Sequence, residues 1–179
     1  ICTSRSFGNL VMDYDALQAS VASFAGSCAN KLRGQHSLTS AVTVFVSSNR
    51  FREDLPQYSN GQTRILPMPT SDTIEITQAA LAVLKEIYRE GISYKKTGVI
   101  LGDITDASYI QQNLFDEVKN RPERMQLMKR IDELNHRFGL RKIHLAVEGE
   151  EKQAWHAKSE FRSGNYLSDL KEILTIQIR

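Results

Sequence analysis

The chain has 179 residues, of which 41% are hydrophobic and 25% are charged, and this composition argues against wholesale disorder. The net charge of +2 gives no general electrostatic reason to expect nucleic-acid binding. No apolar run approaches the ~20 residues of a membrane span, and no signal-peptide pattern is present. Cys2 and Cys28 are too few for a disulfide framework, so we expect a reducing, cytoplasmic setting.

One pattern of elements is predicted twice in residues 1–104, and its first copy begins with a short β-type run at 1–7. Asp13 is a good N-cap for the helix that follows, whose apolar residues recur at helical spacing until Gly34 closes it. Residues 41–48 are β-branched and alternate in polarity, so they predict a strand.

The second copy begins with a strand predicted at 62–68. Asp72, followed three residues later by Glu75, resembles a capping box and predicts a second helix that ends at Gly91. Residues 94–104 are predicted to form the closing strand. Two consecutive β-α-β units predict an α+β domain with one four-stranded sheet and both helices on one face, which leaves the other face open.

The rest of the chain predicts a linker at 105–119 and a small α/β appendage at 120–179. Asn120, with Glu123 three residues later, predicts another capped helix that Gly139 ends, and residues 143–147 predict a strand. The apolar face of that helix is predicted to consist of Leu127, Ile131, Leu134 and Phe138. Because residue 1 is not methionine, we expect the chain to be part of a longer protein.

The linker contains a candidate docking peptide, Gln111-Gln112-Asn113-Leu114-Phe115. Its two large apolar side chains have no local partner, and each contributes ~1.5–3 kcal/mol if a partner's pocket buries it. The glutamine amide of Gln111 is suited to fixing the register by hydrogen bonds. The alternative is that Leu114 and Phe115 pack into the chain's own core.

Four motifs follow one another along the chain: Ser4-Arg5-Ser6-Phe7-Gly8, Lys31-Leu32-Arg33, the KKTGVILGD stretch that begins at Lys95, and Gln111-Gln112-Asn113-Leu114-Phe115-Asp116. Their order resembles that in UmuC-like Y-family translesion DNA polymerases. Each motif alone is weak, but their order and spacing are specific. The chain therefore resembles the C-terminal part of such a polymerase: the little-finger domain (1–104), the clamp-binding peptide (105–119) and the C-terminal extension (120–179).

The resemblance implies that the open sheet face lies on primer–template DNA and contacts mainly the phosphate backbone. Side chains here that suit that role as hydroxyl donors or cations are Ser4, Arg5, Ser6, Thr43, Arg64, Lys95 and Lys96. The resemblance also implies that Gln111, Leu114 and Phe115 bind the sliding clamp. It names a UmuD-type dimer and RecA as candidate partners of the extension, and nothing in residues 116–179 chooses between them.

The polymerase chemistry implied by the resemblance needs paired carboxylates and magnesium in a palm domain, and this chain carries no substitute for them. We therefore expect a non-catalytic region that needs no cofactor of its own. One alternative is a metal-dependent hydrolase built on His144 and Glu148, although these lack the helical spacing of a zinc site. Another is a protein-interaction adaptor whose sheet never contacts DNA.

Overall fold

The computed structural model describes residues 1–108, 120–139, 141–149, 155 and 163–165. The elements are β1 (Cys2–Val11), α1 (Tyr14–Gly34), β2 (Ser37–Ser48), β3 (Ser59–Thr70), α2 (Thr73–Ile87), β4 (Tyr94–Asp106), α3 (Arg121–Phe138) and a 3₁₀ turn at Ala146–Glu148. The four strands form one sheet in the order β1-β4-β2-β3, and each neighbouring pair is antiparallel. The predicted succession of two β-α-β units is confirmed.

Both helices of the repeat begin where the sequence predicts. The Asp13 carboxylate accepts a hydrogen bond from the backbone N–H of Ala16 at 2.9 Å, and Asp72 accepts one from Ile74 at 2.7 Å. These caps satisfy amide groups that a helix leaves unpaired at its start. The second helix ends at Ile87 rather than near Gly91, because the chain turns to an extended conformation directly after it.

The core lies between the two helices and one face of the sheet. Alternate residues of β2 face the helices and are buried, namely Val42, Val44 and Val46. Val99 and Leu101 continue this layer on β4. Helix residues that close the core from the other side include Leu17, Val21, Phe24, Leu32, Ile76, Val83 and Leu84. The opposite sheet face is not covered by either helix, and the predicted fold class is confirmed.

Two local predictions for the appendage are wrong. Asn120 makes no side-chain cap, because its backbone is left-handed at φ 60° instead of extended, as a capping residue must be. The strand predicted at 143–147 is a turn that leads into the 3₁₀ segment. The reason is the side chain of Asn135, which bonds both the backbone N–H and the carbonyl of Ile143 at 2.8 Å. A neighbouring strand would need those same groups.

Ion pairs attach α3 to the helix layer. Asp132 accepts two hydrogen bonds from the guanidinium of Arg33, at 2.6 and 2.8 Å. Arg124 donates to Asp72 at 2.7 Å, and Arg121 lies 3.2 Å from a carboxylate oxygen of Glu75. A two-point contact between a guanidinium and a carboxylate fixes direction as well as distance, so α3 is held in one orientation.

The Glu75 pair contributes least to this attachment at neutral pH. Burial raises the pKa of the Glu75 carboxyl, and the charge of Arg121 opposes that shift only in part. For an acid whose folded pKa is raised, the stabilisation is fully present below the unfolded pKa and is lost as the pH rises through the folded pKa. The Arg33–Asp132 and Arg124–Asp72 contacts are therefore the main ionic attachments of α3 at neutral pH.

The predicted apolar face of α3 is not the face that docks. Leu127, Leu134 and Phe138 are 50%, 39% and 59% exposed, and Ile131 is half-buried. Among the described residues of this helix, only Met128 is buried. Helical periodicity predicted a buried stripe, but the adjacent face, with Arg124, Met128 and Asp132, makes the contact.

Replacing Asp132 with alanine is expected to release α3 while the β-α-β units stay folded. Arg33, only 15% exposed at its side chain, would lose its carboxylate partner, at a cost of about 1.5–3 kcal/mol. Amide exchange in α3 should then accelerate roughly ten- to a hundredfold, with β2 unchanged. The matched control is Glu133→Ala, whose pair with Arg130 is solvent-exposed and contributes little. Equal effects of the two substitutions would contradict this attachment.

Candidate nucleic-acid interface

The uncovered sheet face is defined by strand register, because directly opposed residues project to the same side. Phe45 at the centre of β2 lies opposite Gly61 on one side and Gly98 on the other. Two residues earlier, Thr43 lies opposite Thr63 and Ile100. These positions alternate with the buried valines of β2, so they belong to the face away from the helices.

A flat aromatic platform lies at the centre of this open face. A Cβ atom added at Gly98 would lie 2.5 Å from the ring of Phe45 and 2.5 Å from Cβ of Ser4. One added at Gly61 would lie 3.1 Å from Cβ of Phe45. The two glycines therefore provide the room in which the ring packs against the backbone. Lys96 places its ammonium 5.7 Å from the ring centroid, within the range of a cation–π contact.

Sequence reasoning did not identify Phe45 or Gly98 as site residues. A signal was present, because a glycine inside a β-branched strand, as in Thr97-Gly98-Val99, indicates a close approach of another group. The identity of that group depends on the cross-strand register, which is not visible in the sequence.

Four of the seven predicted DNA-contact residues share this open face. Ser4 and Ser6 lie on β1 opposite Gly98 and Lys96 of β4. Thr43 lies on β2, where its hydroxyl is 2.7 Å from that of Thr63. Hydroxyl groups and one ammonium on a flat surface are suited to phosphate oxygens, which accept hydrogen bonds and carry charge.

The other three predicted residues lie elsewhere. Arg5 is opposite Thr97 and Arg64 is opposite Val42, and both partners face the helices. Arg64 is also paired with Glu86 of α2 at 2.5 Å. Lys95 donates to the carbonyl of Phe7 where the pairing of β1 with β4 is irregular. The structure therefore does not bring these three cations onto the surface that holds Ser4 and Lys96.

Exposed apolar side chains accompany the polar ones on the open face. Ile65 is 65% exposed, and Ile100 and Ile104 are also exposed. The residues of β4 that alternate onto this face after Lys96 are Gly98, Ile100 and Gly102. Exposed carboxylates follow towards the end of the strand, at Asp103, where a φ of 46° interrupts the regular alternation, and at Asp106. The pKa of the Asp106 carboxyl is lowered by hydrogen bonds from Ser108. The centre of the face thus combines weak positive charge with flat apolar surface.

The candidate docking peptide, with Gln111, Leu114 and Phe115, lies outside the described residues. His144 and Glu148 are described, and both have structural partners. The ring nitrogens of His144 lie 2.9 and 3.2 Å from the carbonyl oxygens of Arg141 and Gly149. The carboxylate of Glu148 is buried and accepts a hydrogen bond from Arg141 at 2.7 Å.

Two further features are absent from the described part of the chain. No group of three or more His, Cys, Asp or Glu side chains in the described ranges could hold a metal ion. None of the helices described has both the length and the apolar character needed to cross a bilayer.

Comparison with known proteins gives matches along nearly the whole chain. Residues 1–114 match the impB/mucB/samB family C-terminal domain, and residues 125–176 match a domain of unknown function, DUF4113. The chain is 39% identical to Protein ImpB and 36% identical to Protein UmuC, both of Salmonella typhimurium. It is 32% identical to Protein MucB of Escherichia coli. These alignments cover 97–99% of the chain but only 40–42% of each relative.

Proposed function

Because the chain belongs to the impB/mucB/samB family through its C-terminal domain, we propose that it is the DNA-binding and clamp-tethering region of an error-prone translesion DNA polymerase. In this proposal the chain is not itself catalytic. Nucleotidyl transfer and its magnesium ions belong to a palm domain of the whole polymerase. The cellular role is damage tolerance in the SOS response, in the cytoplasm and at the nucleoid.

The uncovered sheet face is the observation that carries the DNA-binding proposal. Its central row is Ser4, Gly98, Phe45 and Gly61, in which the Phe45 ring packs over Gly98. Ser4, Ser6 and Thr43 supply hydroxyl donors. Lys96 supplies charge beside the Phe45 ring. Contacts of this kind are made to phosphate and sugar and do not read base sequence. A polymerase that follows any template needs this property.

A surface with so few cations binds a duplex weakly, which explains why a separate tether is useful. The docking peptide begins at Gln111, five residues after β4 ends at Asp106. Those five residues span at most about 18 Å when extended. A clamp that holds the peptide therefore keeps the open face near DNA at a high effective concentration.

The appendage is proposed as the region that contacts a UmuD-type dimer or RecA. The exposed stripe of Leu127, Leu134 and Phe138 on α3 supports this assignment, because large apolar patches mark protein-binding sites. The exposed isoleucines of the sheet face favour a second candidate function, a protein-interaction adaptor that never binds DNA. The engaged side chains of His144 and Glu148 do not favour the hydrolase alternative.

Duplex binding across a salt series tests the proposed function. We expect affinity for unrelated duplexes of equal length to be the same, and to fall with a log–log slope of about −0.9 for each phosphate neutralised. Fluorescence anisotropy with labelled duplexes measures both quantities. Absence of duplex binding at low salt would contradict DNA binding and leave the adaptor as the better description.

A further inference from the structure

A cavity of about 340 Å³ lies on the helix side of the β1 edge, between α1, α3 and the segment 141–148. This volume is at the lower end of the range for small-molecule sites, about 300–1,000 Å³. Its apolar wall comes from the appendage and consists of Met128, Ile131, Ile143 and Leu145. The cavity is separate from the open sheet face, since its β1 residue, Arg5, projects to the helix side.

Most polar groups that line the cavity are already bonded within the protein. The guanidinium of Arg33 contacts Asp132, the carbonyl of Ser71 and the hydroxyl of Thr73. Arg141 donates to the Ser23 hydroxyl at 2.6 Å and to Glu148 at 2.7 Å. The remaining bonded groups are Ser27, Asn30, Asn135 and His144.

Two cations at the rim are different. Within the described residues, neither Arg5 nor Lys31 pairs with a carboxylate, and the one contact of the Lys31 ammonium is the Thr3 hydroxyl at 3.4 Å. The lining holds four basic side chains, Arg5, Lys31, Arg33 and Arg141, against two carboxylates, Asp132 and Glu148. The cavity therefore combines an apolar wall with an excess of positive charge.

This combination suits a ligand that has a flat apolar body and an anionic group. We propose that a nucleotide of a single-stranded DNA segment enters the cavity, with its phosphate at Arg5 and Lys31 and its base against Met128 and Ile131. This inference rests on the proposed function. Phosphate contact through cations and stacking on an apolar wall is the usual way in which single strands are bound without sequence preference.

Continuity along β1 favours a DNA strand over a free nucleotide. Ser4 and Ser6 lie on the open face, and Arg5 between them lies on the opposite side of the same edge strand. We place the single-stranded extension of a duplex bound to the open face at the β1 edge, where Arg5 and Lys31 are exposed cations. Arg5 faces away from the surface proposed for the duplex, and contact with the single-stranded part of the substrate would account for that position.

The test compares a blunt duplex with the same duplex carrying a single-stranded 5′ overhang. The variant Arg5→Ala/Lys31→Ala removes two exposed cations, and the control Lys85→Ala/Lys129→Ala removes the same charge away from the cavity. We expect the unsubstituted chain and the control to prefer the overhang substrate roughly tenfold, the ratio for ~1.4 kcal/mol. The cavity variant should bind both substrates with the affinity that the unsubstituted chain has for the blunt duplex. Its salt slope for the overhang substrate should be smaller by about 1.4, because two single-strand phosphates are no longer neutralised.

A size change in the cavity tests where the base lies. Ser27→Leu narrows the cavity without a change of charge and is expected to reduce the overhang preference, and an unchanged preference would overturn the placement of the base. If the variant Arg5→Ala/Lys31→Ala loses affinity equally for the blunt duplex and the overhang substrate, these two cations contact the duplex, and the inference is overturned.

Free ligands test whether the cavity takes a DNA strand at all. Cavity-dependent binding of a free deoxynucleoside monophosphate or an acidic peptide, without overhang preference, would overturn the assignment to a DNA strand. Failure to bind the blunt duplex would contradict the proposed function as well, whereas duplex binding without overhang preference contradicts this inference alone.

Discussion

Replacing Leu114 and Phe115 together with alanine is expected to abolish measurable binding of the chain to a sliding clamp. Each side chain contributes about 1.5–3 kcal/mol when a pocket buries it. Loss of both removes about 3–6 kcal/mol, and a ~μM complex has only about −8 kcal/mol. The dissociation constant should therefore rise at least a hundredfold, to about 0.1 mM or weaker.

Calorimetric titration of a bacterial sliding clamp with the chain and with the double variant measures this loss. The matched control is Gln112→Ala/Asn113→Ala, which changes the two residues between Gln111 and Leu114 and should retain binding. If the unsubstituted chain does not bind and the double variant unfolds at a lower temperature, Leu114 and Phe115 are core residues. That outcome would remove the tether from the proposed function.

Replacing Gly98 with alanine is expected to destabilise the sheet and to disturb its open face. The new Cβ would lie 2.5 Å from the Phe45 ring and from Ser4, so the ring must move. Forcing a methyl group into a filled space costs about 1–3 kcal/mol. Affinity for duplex DNA should fall at the same time, because the displaced ring no longer lies flat beside Lys96.

Gly102→Ala on the same strand is the control for this effect. Its added Cβ meets only Ala41, at an ordinary 3.7 Å, so stability should stay within about 0.5 kcal/mol of the original. Urea denaturation of both variants, and of Gly98→Ala in a Phe45→Ala background, measures the coupling directly. If Gly98→Ala lowers the free energy of unfolding equally with and without the Phe45 ring, Gly98 is not needed to make room for that ring.

Most of the β-α-β repeat could be predicted because its signals are local. Asp13 and Asp72 precede apolar helical periods, and the alternation of Val42, Val44 and Val46 identifies a half-buried strand. The order of specific motifs also predicted the family, and the match of residues 1–114 confirms that resemblance.

The distribution of the cations over two faces could not be predicted, because it depends on cross-strand register. Arg5 and Arg64 were grouped with Ser4 and Lys96 by charge alone. Alternation along β1 puts Arg5 on the opposite face from Ser4 and Ser6. Only its pairing with Thr97 of β4 shows that this face is the one towards the helices. The pair of Arg64 with Glu86 joins residues 22 positions apart, across a strand and a helix.

The appendage was predicted least well, because long-range polar contacts override its local pattern. The apolar residues of α3 have helical spacing, yet the helix docks through Asp132 and Arg124. Residues 143–147 have strand composition, but the side chain of Asn135 satisfies the backbone of Ile143 in place of a neighbouring strand. Neither partner is visible from the sequence around the element itself.

The central claim is that the sheet face away from α1 and α2 is the surface that lies on DNA. Lys96→Glu reverses a charge on that face, and Lys85→Glu makes the same change on an exposed residue of α2. The most direct measurement is the affinity of both variants for one non-specific duplex at fixed salt. We predict that Lys96→Glu weakens binding at least tenfold, which is ~1.4 kcal/mol, while Lys85→Glu stays near the original value. Equal weakening by both, or a greater loss with Lys85→Glu, would contradict the assignment of the open face to DNA.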